Sequence, residues 1–119
     1  MPNPAHGAEC AFYGVVRDKN QGRDVVAVSY DAAVPLCQSV FARIVAPYSD
    51  CDILLQHRIG RVAVGEISVA IVVSSVHRGE AFTACRAIIE AVKHEAPIWK
   101  QEHYTDGDSE WLQGHALCK

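Results

Sequence analysis

The stretch from Arg61 to Pro97 constrains this chain most. It begins "RVAVGEISVAIVVSS", rich in β-branched residues and interrupted once, at Gly65-Glu66. Side chains branched at Cβ favour extended backbone, so two strands are expected on either side of that break. Then comes "GEAFTACRAIIEAVKHE", where Ala81, Cys85, Ile88, Ile89 and Val92 make one apolar stripe at helical spacing. Pro97 disfavours helical backbone at Ala96 and marks where the helix must stop. Strands followed by a one-sided helix call for a layered fold in which a sheet receives the stripe.

The flanking segments fit that frame. "GAECAFYGVV" from Gly7 reads as a strand, "RDKNQGRD" as a polar turn around Asn20 and Gly22, and "VVAVSY" as a second strand. These two strands are expected to form a hairpin with a long, charged, mobile tip. Pro35 suits a first helical turn, Leu36, Val40, Ile44 and Val45 recur at helical spacing, and Pro47 ends the run. "CDILLQHRI" reads as a strand, and "IWKQEHY" with "EWLQGHAL" as a last hairpin across "TDGDS". The order β-β-α-β-β-β-α-β-β predicts an α+β fold, a mostly antiparallel sheet with two main helices packed on it. The 119 residues suffice for one domain over 1–119, and no repeat, linker or low-complexity tract divides them.

Composition narrows the function. Half of the residues are hydrophobic and the formal net charge is −3, without a run of lysine or arginine. Non-specific binding to nucleic acid or to an anionic membrane is therefore not expected. The longest apolar stretch, from Val62, is too short to span a bilayer and carries Glu66. "MPNPAHGAEC" has neither the basic nor the apolar region of a signal peptide, so a cytoplasmic location is expected. The five cysteines are widely spaced without a CxxC, which argues against a disulfide framework or a zinc site. His6, His94, His103 and His115 show no HxxxH spacing, and no GxxxxGK[ST], GxGxxG or GxSxG occurs.

Several groups remain, each with an ordinary structural role beside a functional one. His77 and Arg78 fall where a strand passes into a helix, and a helix N-terminus with an arginine suits an anion. An exposed cap is the plainer reading. Lys93 belongs in a last helical turn, where any cation complements the dipole, and Lys100 belongs on a strand next to Trp99. Trp99 is expected on the opposite face of that strand, in packing that fixes it. Arg17, Lys19 and Arg23 crowd a turn-rich loop that could cover an anionic ligand or simply be solvated. His57 and Arg58 at a strand end read as structural. Cys85 lies on the apolar stripe, a position for core rather than for a nucleophile.

Taken in order, "HRIG", "VGE", "HR..AF.AC" and "K...PIWK.E", preceded by "GAECAFYGVVRDKNQGR.V", closely resemble the catalytic (large) subunit of molybdopterin synthase, the MoaE-like family. The resemblance runs from about Gly7 to Trp111. It implies an α/β-hammerhead type fold, a homodimer, and assembly into a heterotetramer with a small ubiquitin-like subunit ending in Gly-Gly. It also implies transfer of two sulfurs from that partner's C-terminal thiocarboxylate to cyclic pyranopterin monophosphate, forming the molybdopterin dithiolene. No cofactor is then bound by the chain itself, because the partner supplies the sulfur. Residue by residue, the resemblance makes Lys93 and Lys100 catalytic. It makes Arg17, His77 and Arg78 substrate-binding, places Phe12 and Ile89 along the pocket, and puts His115 where relatives can carry an arginine.

Three departures accompany it. The chain starts almost at the glycine matched by Gly7 and so is N-terminally short for the family. "YDAAVPLC" has Ala33 where the family pattern has an aromatic, and His115 replaces the arginine.

Helix length adds a separate expectation. Arg78 and Lys93 are fifteen residues apart, about 22 Å along one helix, too far for both to touch one small pterin. The site is therefore expected to be shared, with the lysines from one protomer and His77 and Arg78 from the other. Two other functions compete: a non-catalytic shortened paralogue that binds a ubiquitin-like partner or a phosphorylated pterin, and a cysteine-persulfide carrier, which would need an exposed thiol of low pKa.

Overall fold

The structure, a computed structural model, describes residues 2–111. Ten elements follow in order: β1 (Ala8–Val15), β2 (Lys19–Asn20), β3 (Arg23–Ala32), α1 (Val34–Val45), β4 (Asp52–His57), β5 (Gly60–Ala63), β6 (Ile67–Ser75), α2 (Arg78–Glu95), β7 (Ile98–Tyr104) and β8 (Ser109–Trp111). They form two antiparallel sheets. One has the order β1-β6-β4; the other runs β2-β3-β7-β8, with β5 also paired to β3. Two helices packed on antiparallel sheets are the expected fold class.

The break at Gly65-Glu66 does more than separate two strands. It sends β5 to one sheet and β6 to the other. Gly65 has φ +86, open to glycine at little cost, and the Glu66 side chain accepts the Ala63 N–H at 2.8 Å. Strand β6 is central in its sheet, and seven of its nine residues are buried, which accounts for its nearly unbroken apolar run.

Helix α2 packs on β6 and β1, and all five predicted stripe residues are buried. Ile71, Ile88, Val73 and Val92 are at most 1% exposed. Burying each such side chain contributes about 1.5–3 kcal/mol before conformational entropy is subtracted. Ala96 has ψ 131, extended backbone as required ahead of Pro97, and α2 stops there. The connection to β7 is short, and the Ala33 N–H donates to the Pro97 carbonyl at 3.2 Å, fixing the turn to the end of β3.

Two expectations are corrected, and the core face of α1 is defined. β1 and β3 do not form a hairpin: β1 pairs with β6, while β3 pairs with β2, β5 and β7. Gln21 and Gly22 both have positive φ, the geometry of a two-residue hairpin turn, so the polar loop folds back on its own as β2 and occupies part of the β3 edge. On α1 the core face is Cys37 and Ile44 with Val40 and Phe41 partly buried, whereas Leu36 is exposed. Trp99 points away from Lys100 as strand alternation requires, but it is 40% exposed rather than packed within the chain.

Candidate active site

Strand β7 alternates, so Lys100 and Glu102 share one face while Trp99, Gln101 and His103 take the other. The first face looks toward the end of α2. Lys100 stands across from Tyr30, and Glu102 across from Val28. Lys93 follows Val92, which is buried, so the lysine leaves α2 at the border of the core. The short turn at Pro97 folds β7 back beside that helix end. The result is a cleft of about 160 Å³ lined by Arg17, Asn20, His57, Lys93, Lys100 and Glu102, among others. Lys93 and Lys100 therefore line one cavity, and Arg17 joins them from the segment after β1.

Two uncharged rings and the Glu102 side chain surround the cations. Nδ1 of His57 lies 2.7 Å from the Arg58 carbonyl and must donate to it, leaving Nε2 as the bare nitrogen. Burial lowers the pKa of this imidazole, keeping it neutral, although the Arg58 contact works the other way. The Tyr30 and His57 rings meet edge-on with centroids 4.8 Å apart. Burial raises the Tyr30 phenol above its ordinary value, so it stays protonated. Oε1 of Glu102 accepts from Asn20 Nδ2 at 2.6 Å and from the Tyr104 hydroxyl at 3.0 Å.

The other predicted residues lie elsewhere. His77 and Arg78 begin α2, at its far end from Lys93. His77 lines a separate cleft with Tyr48, Cys51, Glu80 and Thr83, and Arg78 is exposed beside it. Phe12 packs partly buried against the core and Ile89 is buried in it; the lysine cleft is lined by other residues. His115 lies outside the described residues. Among the described residues, no group of three or more His, Cys, Asp or Glu could hold a metal ion. Cys85 is buried against Cys10, and burial with that contact pushes its thiol up to about 11. That is the reverse of what a persulfide carrier needs.

Residues 1–95 match the family described as MoaE protein. The chain belongs to the MoaE family. Lys100 and Glu102 lie beyond the segment matched by that family description, but individual relatives extend over them. A protein of Synechococcus elongatus named "Molybdopterin synthase catalytic subunit" is 44% identical, covering 96% of this chain and 72% of its own length. The crystal structure of molybdopterin synthase from Staphylococcus aureus superposes with a TM-score of 0.86 at 33% identity, over 94% of this chain and 84% of that one. A protein–protein complex of subunits 1 and 2 of the molybdopterin-converting factor from Helicobacter pylori gives 0.78 at 27% identity, over 92% and 73%. No helix of this MoaE protein among the described residues is long and apolar enough to cross a membrane.

Sequence reasoning missed Asn20, Tyr30 and Glu102, and it gave His57 only a structural role. Period-two alternation along "IWKQEHY" was the available signal for Glu102, two residues from Lys100. Tyr30 required the pairing of β3 with β7, which no local pattern encodes.

Proposed function

We propose that this chain is the catalytic subunit of a molybdopterin synthase. It transfers sulfur from the thiocarboxylated C-terminus of a small ubiquitin-like subunit to cyclic pyranopterin monophosphate. The observation that carries this reading is the convergence of Arg17, Lys93 and Lys100 on one cleft, in a MoaE chain whose relatives are named as catalytic subunits.

The chemistry needs such a cleft. The attacking thiocarboxylate is anionic, and negative charge develops on oxygen as sulfur replaces it. Ammonium groups at the border of a core stabilise both, since water is partly excluded there and reorganises little. Arg17 supplies a guanidinium suited to a phosphate. The neutral His57 and the protonated Tyr30 close the cleft without adding charge. The phosphate-binding pair His77 and Arg78 comes from a second protomer, because α2 holds them about 22 Å from Lys93.

Mixing the protein with a thiocarboxylated small subunit and cyclic pyranopterin monophosphate should yield molybdopterin, detected as its fluorescent oxidation product. Failure to form any, with a partner shown to be active with another synthase, would overturn the reading.

A further inference from the structure

The hairpin after β1 carries Arg17 into the cleft, and it is tied down at both ends. At its start, Val16 donates its N–H to the Glu66 carbonyl at 3.0 Å and accepts from the Gly65 N–H at 2.9 Å. At its tip, Asn20 Nδ2 donates to Oε1 of Glu102 at 2.6 Å. Arg17, Asp18 and Lys19 lie between the two ties, and the Asp18 carbonyl accepts from the Val25 N–H at 2.8 Å, which joins the segment to β3. Glu102 is 5% exposed, and the Tyr104 hydroxyl donates to the same oxygen. A buried acceptor held by two donors is costly to leave without them. The far tie also lands on β7, on the face of Lys100 and two residues away.

We propose that Asn20 is a positioning residue for the sulfur-transfer reaction: by holding Glu102 it fixes the β2–β3 hairpin so that Arg17 shares a cleft with Lys93 and Lys100. This rests on the synthase reading above. Asn20 acts through its amide proton, not through contact with substrate. The side chain must therefore be a donor of this length; a carboxylate of the same shape would set one acceptor against another.

That polarity makes the test sharp. Asn20→Asp keeps the shape and removes the donor. Glu102→Gln keeps an acceptor oxygen for Asn20. In the double variant, the glutamine amide can donate to the new carboxylate, restoring the bond with reversed polarity. Amide hydrogen exchange over residues 17–24 is measured on the whole chain. Steady-state sulfur transfer is measured beside it, with a thiocarboxylated small subunit and cyclic pyranopterin monophosphate.

Asn20→Asp should accelerate exchange of the hairpin amides and raise KM for the pterin about tenfold, with a smaller change in kcat. Combining it with Glu102→Gln should return exchange to the rate of Glu102→Gln alone. A residue that only stabilised the fold would lower Tm without that KM-selective effect or the rescue. Wild-type exchange in Asn20→Asp, fast exchange with an unchanged KM, or no rescue in the double variant each overturns the proposal. If the wild-type chain makes no molybdopterin, the synthase reading fails and the role in the reaction falls with it, while the exchange data alone decide whether the tie exists.

Discussion

Lys93 and Lys100 line one cleft although one leaves the last turn of a helix and the other sits in a strand. Pro97 lies between them, and the turn it imposes is what brings them together. Separate removal of the two ammonium groups should therefore damage the same step. Lys93→Ala and Lys100→Ala should each lower kcat for sulfur transfer by about 10²–10³, the usual effect of deleting a charge-stabilising donor. Both chains should keep their circular dichroism spectra, since neither lysine is among the buried core residues. Wild-type turnover in either variant would remove that lysine from the mechanism.

Cys85 separates synthase chemistry from persulfide chemistry. Its folded pKa of about 11 stands above the ordinary value of 9.0, so the folded state holds the thiol proton more tightly than the unfolded chain does. The associated stabilisation is complete below about pH 9 and is lost as pH rises through about 11. Urea unfolding midpoints should fall across that window, and less so in Cys85→Ala. The same variant should retain sulfur transfer. Loss of transfer in Cys85→Ala, with the fold intact, would favour the persulfide carrier.

His57 gives the opposite slope at the acid side. Its folded pKa lies below the ordinary 6.5, mainly because burial disfavours the imidazolium. Its contribution to stability is present above about pH 6.5 and is lost as pH falls through the lower folded value. Nitrogen chemical shifts should report the tautomer protonated at Nδ1. His57→Asn, which can still donate to the Arg58 carbonyl, should flatten the acid limb of the stability profile. A ring protonated at Nε2 near neutral pH would contradict the Arg58 hydrogen bond.

The core of α2 can be checked against its surface. Ile88 is fully buried, and Phe82 on the same helix is 61% exposed. Ile88→Ala should cost about 2–5 kcal/mol, through lost burial and the cavity left behind. Phe82→Ala in the isolated chain should stay within about 0.5 kcal/mol. Denaturant unfolding of the two variants compares them directly. A large loss at Phe82 would mean that this exposed ring is covered in solution.

What could be read from the residues alone was whatever depends on near neighbours in sequence. The α2 stripe, its stop before Pro97 and the strands around Gly65 are set by local sterics and spacing, and the structure has them where expected. Partner strands are a different matter. "GAECAFYGVV" and "VVAVSY" looked like a hairpin because they are adjacent, but the positive φ angles at Gln21 and Gly22 make a tighter reversal first. Leu36 shares a helical spacing with Val40 and Ile44, but spacing alone does not say which of two neighbouring stripes meets the core, and Leu36 is exposed. Alternation puts Trp99 on the face opposite Lys100, but it does not say whether anything covers that face, and the ring is 40% exposed. The cleft follows the same division. Lys93 and Lys100 are carried by motif resemblance and Glu102 by alternation along one strand, whereas Tyr30 needs the register between β3 and β7.

The helix that joins Arg78 to Lys93 permits a test of whether two chains build one site. Its 18 residues leave the two side chains at opposite ends. His77 lines a cleft beside Tyr48 and Cys51, away from the lysines. Chains carrying Lys93→Ala and chains carrying Arg78→Ala should each be defective alone. If the site is shared, mixing them after dissociation should create dimers in which one of the two sites has all its residues, and sulfur transfer should reappear. If each chain builds a complete site by itself, every site in the mixture carries one defect and activity stays at the level of the separate variants. Activity recovered on mixing, and lost again when both substitutions sit on the same chain and are mixed with neither partner, would establish the shared arrangement; no recovery, with exchange of subunits demonstrated by mass, would refute it.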